Sequence, residues 1–133
     1  MARTVTLAVD LPCPPARLYA MYLNPKIHAA ITGAPVTIAA RAGARFKAFG
    51  GALTGTILQV IPKRLIVQSW RSTQFSNRDL DSTLILSFSS FGKSGRIELT
   101  HVNVADDDFG GVSEGWSKYY FVPWRAYLAR SPR

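Results

Sequence analysis

The sequence is poor in the side chains that build disulfides and metal sites. Its single cysteine, Cys13, stands between two prolines and has no partner for an internal disulfide. An isolated cysteine in such a connection is more often a small apolar filler than a nucleophile. The two histidines, His28 and His101, lie on different predicted elements, and no further ligand stands at the spacing of a zinc site. We expect no metal and no cofactor, and the unpaired cysteine is typical of a cytoplasmic protein.

The sequence also has no long apolar run. No segment approaches the ~20 consecutive apolar residues of a membrane-spanning helix. Residues 1–4 lead directly into an alternating pattern, without the apolar region of a secretory signal peptide. We therefore expect neither a membrane span nor a signal peptide.

Acidic residues are half as numerous as basic ones, with 8 Asp and Glu against 16 Lys and Arg and a net charge of +8. The basic residues are scattered, and no tract is longer than two, whereas a phosphate-binding surface usually clusters them on one element. A nucleic-acid partner is therefore not expected. Arg41, Arg45 and Lys47 are close enough in sequence to form a local basic patch.

Sequence motifs of catalysis are missing as well. There is no glycine-rich phosphate loop, no Gly-x-Ser-x-Gly elbow and no cluster of Cys and His ligands. The carboxylates form no identifiable pair for acid and base chemistry. No catalytic residue is predicted, and His101 is the one candidate to examine, because histidine titrates near neutral pH.

What the sequence does contain is a series of alternating segments followed by an aromatic helix. Its 133 residues, 47% of them hydrophobic, suit one domain with a real core. Apolar patterning and turn residues predict strands at 3–9, 35–40, 44–49, 53–61, 65–73, 82–89 and 96–104. Prolines at their starts predict two short helices, 16–23 and 26–31, after the first strand.

The segment 112–128 predicts a long helix with one strongly apolar side. Large apolar residues recur there at spacings of three and four, namely Val112, Trp116, Tyr119, Tyr120, Pro123, Tyr127 and Leu128. Trp124 is expected nearer the flank, and Pro123 should kink or loosen the helix. This order favours an α+β fold in which one curved antiparallel sheet of six to seven strands wraps around the terminal helix. The domain would span 1–133, with 130–133 as a flexible tail.

Several short motifs of this sequence match those of a known family. The most specific is the run 66–71, Ile-Val-Gln-Ser-Trp-Arg. The others are Gly43-Ala44-Arg45-Phe46, Phe49-Gly50-Gly51, Gly55, Ser82-Thr83-Leu84, Leu99-Thr100-His101 and Gly115-Trp116. Over nearly its whole length the chain resembles the homologues of the activator of the ninety-kilodalton heat-shock protein's ATPase.

That family belongs to the helix-grip superfamily, with the START lipid-transfer domains and the birch-pollen-allergen-like proteins. The resemblance therefore implies a helix-grip fold with a cavity between the sheet and the terminal helix. Ala105 and Phe75 depart from the family pattern, where proline and tryptophan are common, so the loops near the cavity mouth are expected to differ.

The function implied by the resemblance is the binding of a small hydrophobic or aromatic molecule, lipids included. The residues expected to contact it are Gln68, Trp70, Phe88, His101, Trp116 and Tyr120. One alternative is a co-chaperone-like protein that acts on a heat-shock ATPase in the stress response. Another is a cyclase- or hydrolase-type enzyme that uses the same cavity. The chain would be a monomer or a homodimer.

Each polar or aromatic candidate also has a purely structural interpretation. His101 shares a strand face with apolar neighbours, so it is either a neutral, hydrogen-bonded core residue or a group that contacts ligand. Trp70 and Trp116 are either core aromatics or a binding platform, and their indole N–H groups need polar partners when enclosed. Gln68, on the strand face of Trp70, can orient a ligand or satisfy such a donor.

Overall fold

A seven-stranded antiparallel sheet dominates the computed structural model, which describes residues 2–130. The strands are β1 Ala2–Leu11, β2 Val36–Thr37, β3 Arg45–Ala48, β4 Leu53–Ile61, β5 Leu65–Ser72, β6 Ser82–Phe91 and β7 Ser94–Ala105. Their order in the sheet is β1-β7-β6-β5-β4-β3-β2. The predicted α+β fold, with its curved sheet and long C-terminal helix, is confirmed. Predicted strand 35–40 is too long, because only Val36 and Thr37 pair with β3.

The helices occupy two places in the chain. The first two are α1 Pro15–Leu23 and α2 Pro25–Thr32, as expected between β1 and β2. The terminal helix, 109–130, consists of α3 Phe109–Gly115, a π-helical segment Trp116–Phe121 and α4 Val122–Arg130. None of the helices within 2–130 is long and apolar enough to cross a membrane. The predicted tail falls on Arg130, which ends α4, and on residues 131–133, which lie outside the described part.

Local chemistry explains why two short helices follow one another without a loop. Pro15 occupies the start of α1, where its missing N–H costs nothing. Asn24 ends α1 and caps α2, since its side-chain oxygen accepts the N–H groups of Lys26 and Ile27 at 3.0 and 3.1 Å. Gly33 ends α2 in the left-handed conformation, with φ of 84°.

The inner face of the sheet is set by strict alternation along its central strands. In β5 the buried residues are Ile66, Gln68, Trp70 and Ser72, while their neighbours are only half-buried. The register places Gln68 opposite Leu84 in β6, and Leu84 opposite His101 in β7. These cross-strand rows form the floor on which the terminal helix lies.

The π-helical segment changes which side of the terminal helix is buried. Trp124, expected at the flank, is 2% exposed, whereas Tyr119, expected on the apolar side, is 50% exposed. A π-segment bonds five residues back instead of four, so each of its turns holds about one more residue. Spacings of four then stay on one face, and Val112, Trp116, Tyr120 and Trp124 are all buried. The segment ends just before Pro123, where loosening was predicted.

Candidate functional site

A cavity of about 390 Å³ lies between the terminal helix and the sheet. Its position is off-centre, at the end of the sheet formed by β4, β5 and the short turn that precedes β4. Five aromatic side chains line it, which are Phe49, Trp70, Trp116, Tyr119 and Tyr120. The wall is therefore mostly hydrocarbon, as in pockets that hold small organic molecules.

Phe49 reaches the cavity wall because the backbone before β4 is forced into an unusual conformation. Phe49 has a φ of 51°, and Gly50 and Gly51 follow with φ of 67° and 95°. Only glycine adopts this region without cost, so the phenylalanine stores about 1–3 kcal/mol of strain. Its ring packs edge-on against Tyr119 and Tyr120, with centroids 5.9 and 6.2 Å apart. The strained turn thus clamps the sheet side of the cavity onto the helix.

The π-segment supplies the three aromatic rings of the helix side. Trp116, Tyr119 and Tyr120 all belong to it. The ring centroids of Trp116 and Tyr120 are 4.8 Å apart, and Trp70 reaches Trp116 from the sheet at 6.3 Å. Such segments are rare and often occur at functional sites.

His101 lies behind this wall in a closed hydrogen-bond chain. The indole N–H of Trp116 donates to Nδ1 of His101 at 3.1 Å. Nε2 of His101 lies 2.8 Å from the Ser82 hydroxyl, which itself donates to the carbonyl of Trp70 at 2.7 Å. Since Nδ1 must accept, the proton is on Nε2 and the ring is neutral. Burial lowers the pKa of His101 to about 4, in agreement with a neutral core histidine.

His28 forms a second chain, with the opposite tautomer. Its Nδ1 lies 2.8 Å from the carbonyl of Tyr22 and must donate, so Nε2 accepts the hydroxyl of Tyr120 at 2.8 Å. Burial lowers the pKa of His28 to about 4, and burial also raises the pKa of the Tyr120 hydroxyl. Tyr22 in turn donates its hydroxyl to Gln68 at 2.5 Å. These contacts hold Tyr120 from behind, a role for His28 that sequence reasoning missed because α2 and the terminal helix are distant in sequence.

The lining of the cavity carries two polar features, of which the first, a buried indole N–H without a partner among the described residues, also occurs at Trp124 outside the lining. The indole N–H of Trp70 is buried and has no hydrogen-bond partner within residues 2–130. Asp108 brings a carboxylate to the lining, next to Ser72. Burial raises the pKa of the Asp108 carboxyl, and a hydrogen bond from Ser72 partly opposes that shift.

The structure divides the six predicted ligand contacts into two groups. Trp70, Trp116 and Tyr120 line the cavity. The other three are buried outside the lining: Gln68 holds Tyr22, His101 holds Trp116, and Phe88 packs against Tyr19 with centroids 5.7 Å apart. Contact with a ligand stays a prediction for all six.

Sequence reasoning also missed lining residues. The sequence shows Phe49 only as part of a family motif and Tyr119 only as one of several apolar residues, and it gives Asp108 no role in a site. Phe49 sits beside two glycines, and that pairing was the one available signal of a special turn. Neighbouring Phe75, at a departure from the family pattern, packs on Trp70 with ring centroids 5.9 Å apart.

Comparison with known proteins gives sequence matches over most of the chain. The family model of activator of Hsp90 ATPase homolog 1-like proteins matches residues 12–128. An activator of 90 kDa heat shock protein ATPase homolog from Dictyostelium discoideum is 27% identical over 117 residues, which are 87% of this chain and 30% of that protein. The Homo sapiens homolog 1 is 27% identical over 119 residues, which are 88% of this chain and 34% of that protein. The chain therefore spans about a third of the length of these curated relatives.

Solved structures share the fold. The crystal structure of an HSP90 activator from Plasmodium falciparum superposes with a TM-score of 0.84 at 18% identity, over 95% of this chain and 96% of that one. At this identity the likeness shows a common helix-grip architecture.

Proposed function

The chain belongs to the family of activator of Hsp90 ATPase homolog 1-like proteins, and we propose that it binds a small, mainly apolar molecule in the cavity between its terminal helix and its sheet. The observation that carries this proposal is the cavity itself. Its volume of about 390 Å³ falls in the range of roughly 300–1,000 Å³ that is usual for ligand pockets. A flat ring system fits five aromatic walls well, because rings pack favourably by stacking or edge-on contact.

The unpartnered indole of Trp70 supports the same function. A buried N–H without an acceptor costs about 1–3 kcal/mol. A carbonyl, hydroxyl or ether oxygen of a ligand would recover that cost after a small movement of the ring. The proposed contacts are Trp70, Trp116 and Tyr120, with Gln68 and His101 in supporting positions behind them.

Tryptophan fluorescence tests the proposal directly. Titration with 2-naphthylmethanol is expected to change the emission of the wild-type protein saturably. Trp116→Phe should reduce that change clearly, because Trp116 lines the cavity, and Trp70, which also lines it, should report the remainder. Trp124→Phe is the matched control, since Trp124 is equally buried in the same helix but is not part of the lining. Equal losses in the two variants, or no saturable change at all, would contradict binding at this place.

A second candidate function is contact with a chaperone. The relatives matched here are described as activators of a 90 kDa heat shock protein ATPase. In this chain Arg41, Arg45 and Lys47 form an exposed basic edge, on and just before β3 and next to the outermost strand β2, and none of them takes part in an ion pair within residues 2–130. An unpaired basic edge suits an acidic protein surface, which it would attract over about a Debye length. The cytoplasmic location and the role in stress response belong to this proposal.

Chaperone ATPase assays separate the two candidates. If the basic edge makes the contact, the double variant Arg45→Glu/Lys47→Glu abolishes stimulation. Arg17→Glu/Lys26→Glu changes the net charge equally on exposed positions of α1 and α2, and should retain it. Absence of stimulation by the wild-type chain would rule out this candidate and leave the ligand-binding proposal intact.

An enzyme of cyclase or hydrolase type is the third alternative, and the geometry gives His101 no part in it. His101 is 0% exposed, and both ring nitrogens are engaged by Trp116 and Ser82. A general acid or base needs a substrate proton within hydrogen-bond reach. Any reaction in the cavity would therefore depend on another group, of which Asp108 is the one carboxylic acid in the lining.

A further inference from the structure

The charge of the cavity is set by one side chain, Asp108. It precedes α3 and lines the cavity together with Ser72. None of the described lining residues is a Lys, Arg or His, although the whole chain carries a net charge of +8. The cavity is thus locally acidic inside a basic protein.

Asp108 is also a carboxylate without a cationic partner. Ion pairs within residues 2–130 involve Asp10, Asp81 and Asp106, and none involves Asp108. Partial burial removes water from its carboxyl group and raises its pKa, and the Ser72 hydroxyl compensates only in part. A positive charge placed beside the carboxylate would restore the stabilisation of its ionised form that is lost with the surrounding water.

The aromatic walls have the same preference. The face of an aromatic ring carries negative potential, and tryptophan and tyrosine attract cations most strongly. The cavity has two tryptophans, two tyrosines and Phe49 around one carboxylate. Rings grouped around an acid are the arrangement by which proteins bind substituted ammonium groups.

We propose that the cavity selects organic cations, namely aromatic or cyclic molecules that carry an ammonium group, with the charge beside Asp108 and the ring system between Trp70, Trp116 and Phe49. This rests on the proposed ligand-binding function and names the chemical class of its ligand. Carboxylates such as fatty acids are the class that it disfavours, because they would face Asp108 without a compensating cation.

Three probes with one ring system test the selection by calorimetric titration: 2-naphthylmethylammonium, 2-naphthylmethanol and 2-naphthoate. The ammonium probe is expected to bind about tenfold or more tightly than the alcohol, since hydrogen bonds to charged groups exceed neutral ones by roughly that factor. The naphthoate should bind most weakly. In Asp108→Asn the ammonium and the alcohol should bind within about threefold of each other, because the ammonium loses more affinity than the alcohol when the carboxylate is removed.

The matched control is Asp107→Asn, which removes the same charge from an exposed position in the same turn and should keep the preference. Equal affinities of the ammonium and the alcohol for the wild-type protein would overturn the cation proposal while upholding the cavity as a binding site. Failure of all three probes to bind would overturn both. A preference lost equally in Asp107→Asn and Asp108→Asn would assign it to general surface charge and contradict the role of Asp108.

Discussion

At the scale of single residues, the two histidines show how one side-chain type takes two complementary states in one core. His101 accepts a hydrogen bond from the Trp116 indole at Nδ1, whereas His28 accepts one from the Tyr120 hydroxyl at Nε2. Each neutral tautomer is fixed by the partner on its other nitrogen. The two histidines thereby orient two of the aromatic rings that line the cavity. Protonation of His101 would place its Nδ1–H against the indole N–H of Trp116, which can only donate, whereas protonation of His28 would require the Tyr120 hydroxyl to turn from donor to acceptor.

The histidines predict a decline of stability in mild acid. Burial lowers the pKa of both histidines from 6.5 to about 4, so the unfolded chain takes up protons first. Their contribution is complete above pH 6.5 and is lost as the pH falls toward 4, by about 3 kcal/mol for each histidine at most. In urea unfolding, the slope of the free energy of unfolding against pH should rise from about half a proton at pH 7 to nearly two protons between pH 5.5 and 5. His101→Gln should reduce that slope to about one, whatever its effect at pH 7, and an unchanged slope would contradict the buried neutral state.

At the scale of elements, the site depends on two local departures from regular geometry. One is the close approach of β4 to β5 at Gly55, where the Thr56 N–H donates to the Ser69 hydroxyl at 2.9 Å. The other is the π-segment, which sets the rotation of the terminal helix. Both lie beside the cavity wall.

Gly55→Ala should strongly destabilise the protein. An added Cβ would lie 2.0 Å from the carbonyl oxygen of Ser69 and 2.8 Å from its carbonyl carbon, and neither backbone atom can move alone. We expect a loss of at least about 2 kcal/mol in the free energy of unfolding. Gly110→Ala is the control: nothing lies within 4 Å of its Cβ, so it should be neutral or stabilise α3 by up to about 1 kcal/mol. Equal effects of the two variants in chemical denaturation would count against the close approach.

Deletion of Ser117, an exposed residue of the π-segment, should convert the terminal helix to a continuous α-helix. The four buried positions would then stand at spacings of four, three and four, which suit 3.6 residues per turn. The helix should form, as seen by NMR, but its cavity rings would turn and binding of 2-naphthylmethanol should weaken about tenfold or more. Deletion of Ala129, exposed near the end of α4, should leave binding unchanged. Persistence of full affinity without Ser117 would show that the π-segment is dispensable.

At the scale of the whole molecule, the sequence predicts the regular strand and helix patterns but not the local irregularities of the backbone. Alternation in β5 to β7 placed Gln68, Trp70, Phe88 and His101 correctly on the inner face. Alternation along a strand predicts which face of the sheet a side chain occupies, but not how far that side chain lies from the cavity. The cavity lies toward β4, so Phe88 packs under α1 instead. A uniform 3.6 residues per turn predicts Tyr119 on the buried side and Trp124 at the flank, whereas the π-segment reverses their burial. The left-handed backbone of Phe49 cannot be predicted from hydrophobic periodicity.

Amide hydrogen exchange should distinguish the regular central strands from the irregular π-segment. Amides of β5, β6 and β7, paired on both sides, are expected to exchange slowest, with those of Trp116–Phe121 exchanging faster. Bound 2-naphthylmethylammonium should slow the π-segment selectively, because its rings close on the ligand. Mass spectrometry of peptic fragments measures both effects. Uniform slowing across the chain, with no excess in this segment, would contradict binding at the cavity.

The pairing of β1 with β7 has a consequence for synthesis on the ribosome. Leu7 lies opposite Leu99, and Ala2 lies opposite Ala105, so the first strand to be made must wait for the last one. The hairpins from β3 to β7 join neighbours in sequence and can form as the chain emerges. β1 and the terminal helix are therefore added to a sheet that already exists. A nascent chain would hold its aromatic wall open until the terminal helix has been made and has packed on the sheet, and a ligand or a chaperone could enter most easily before that moment.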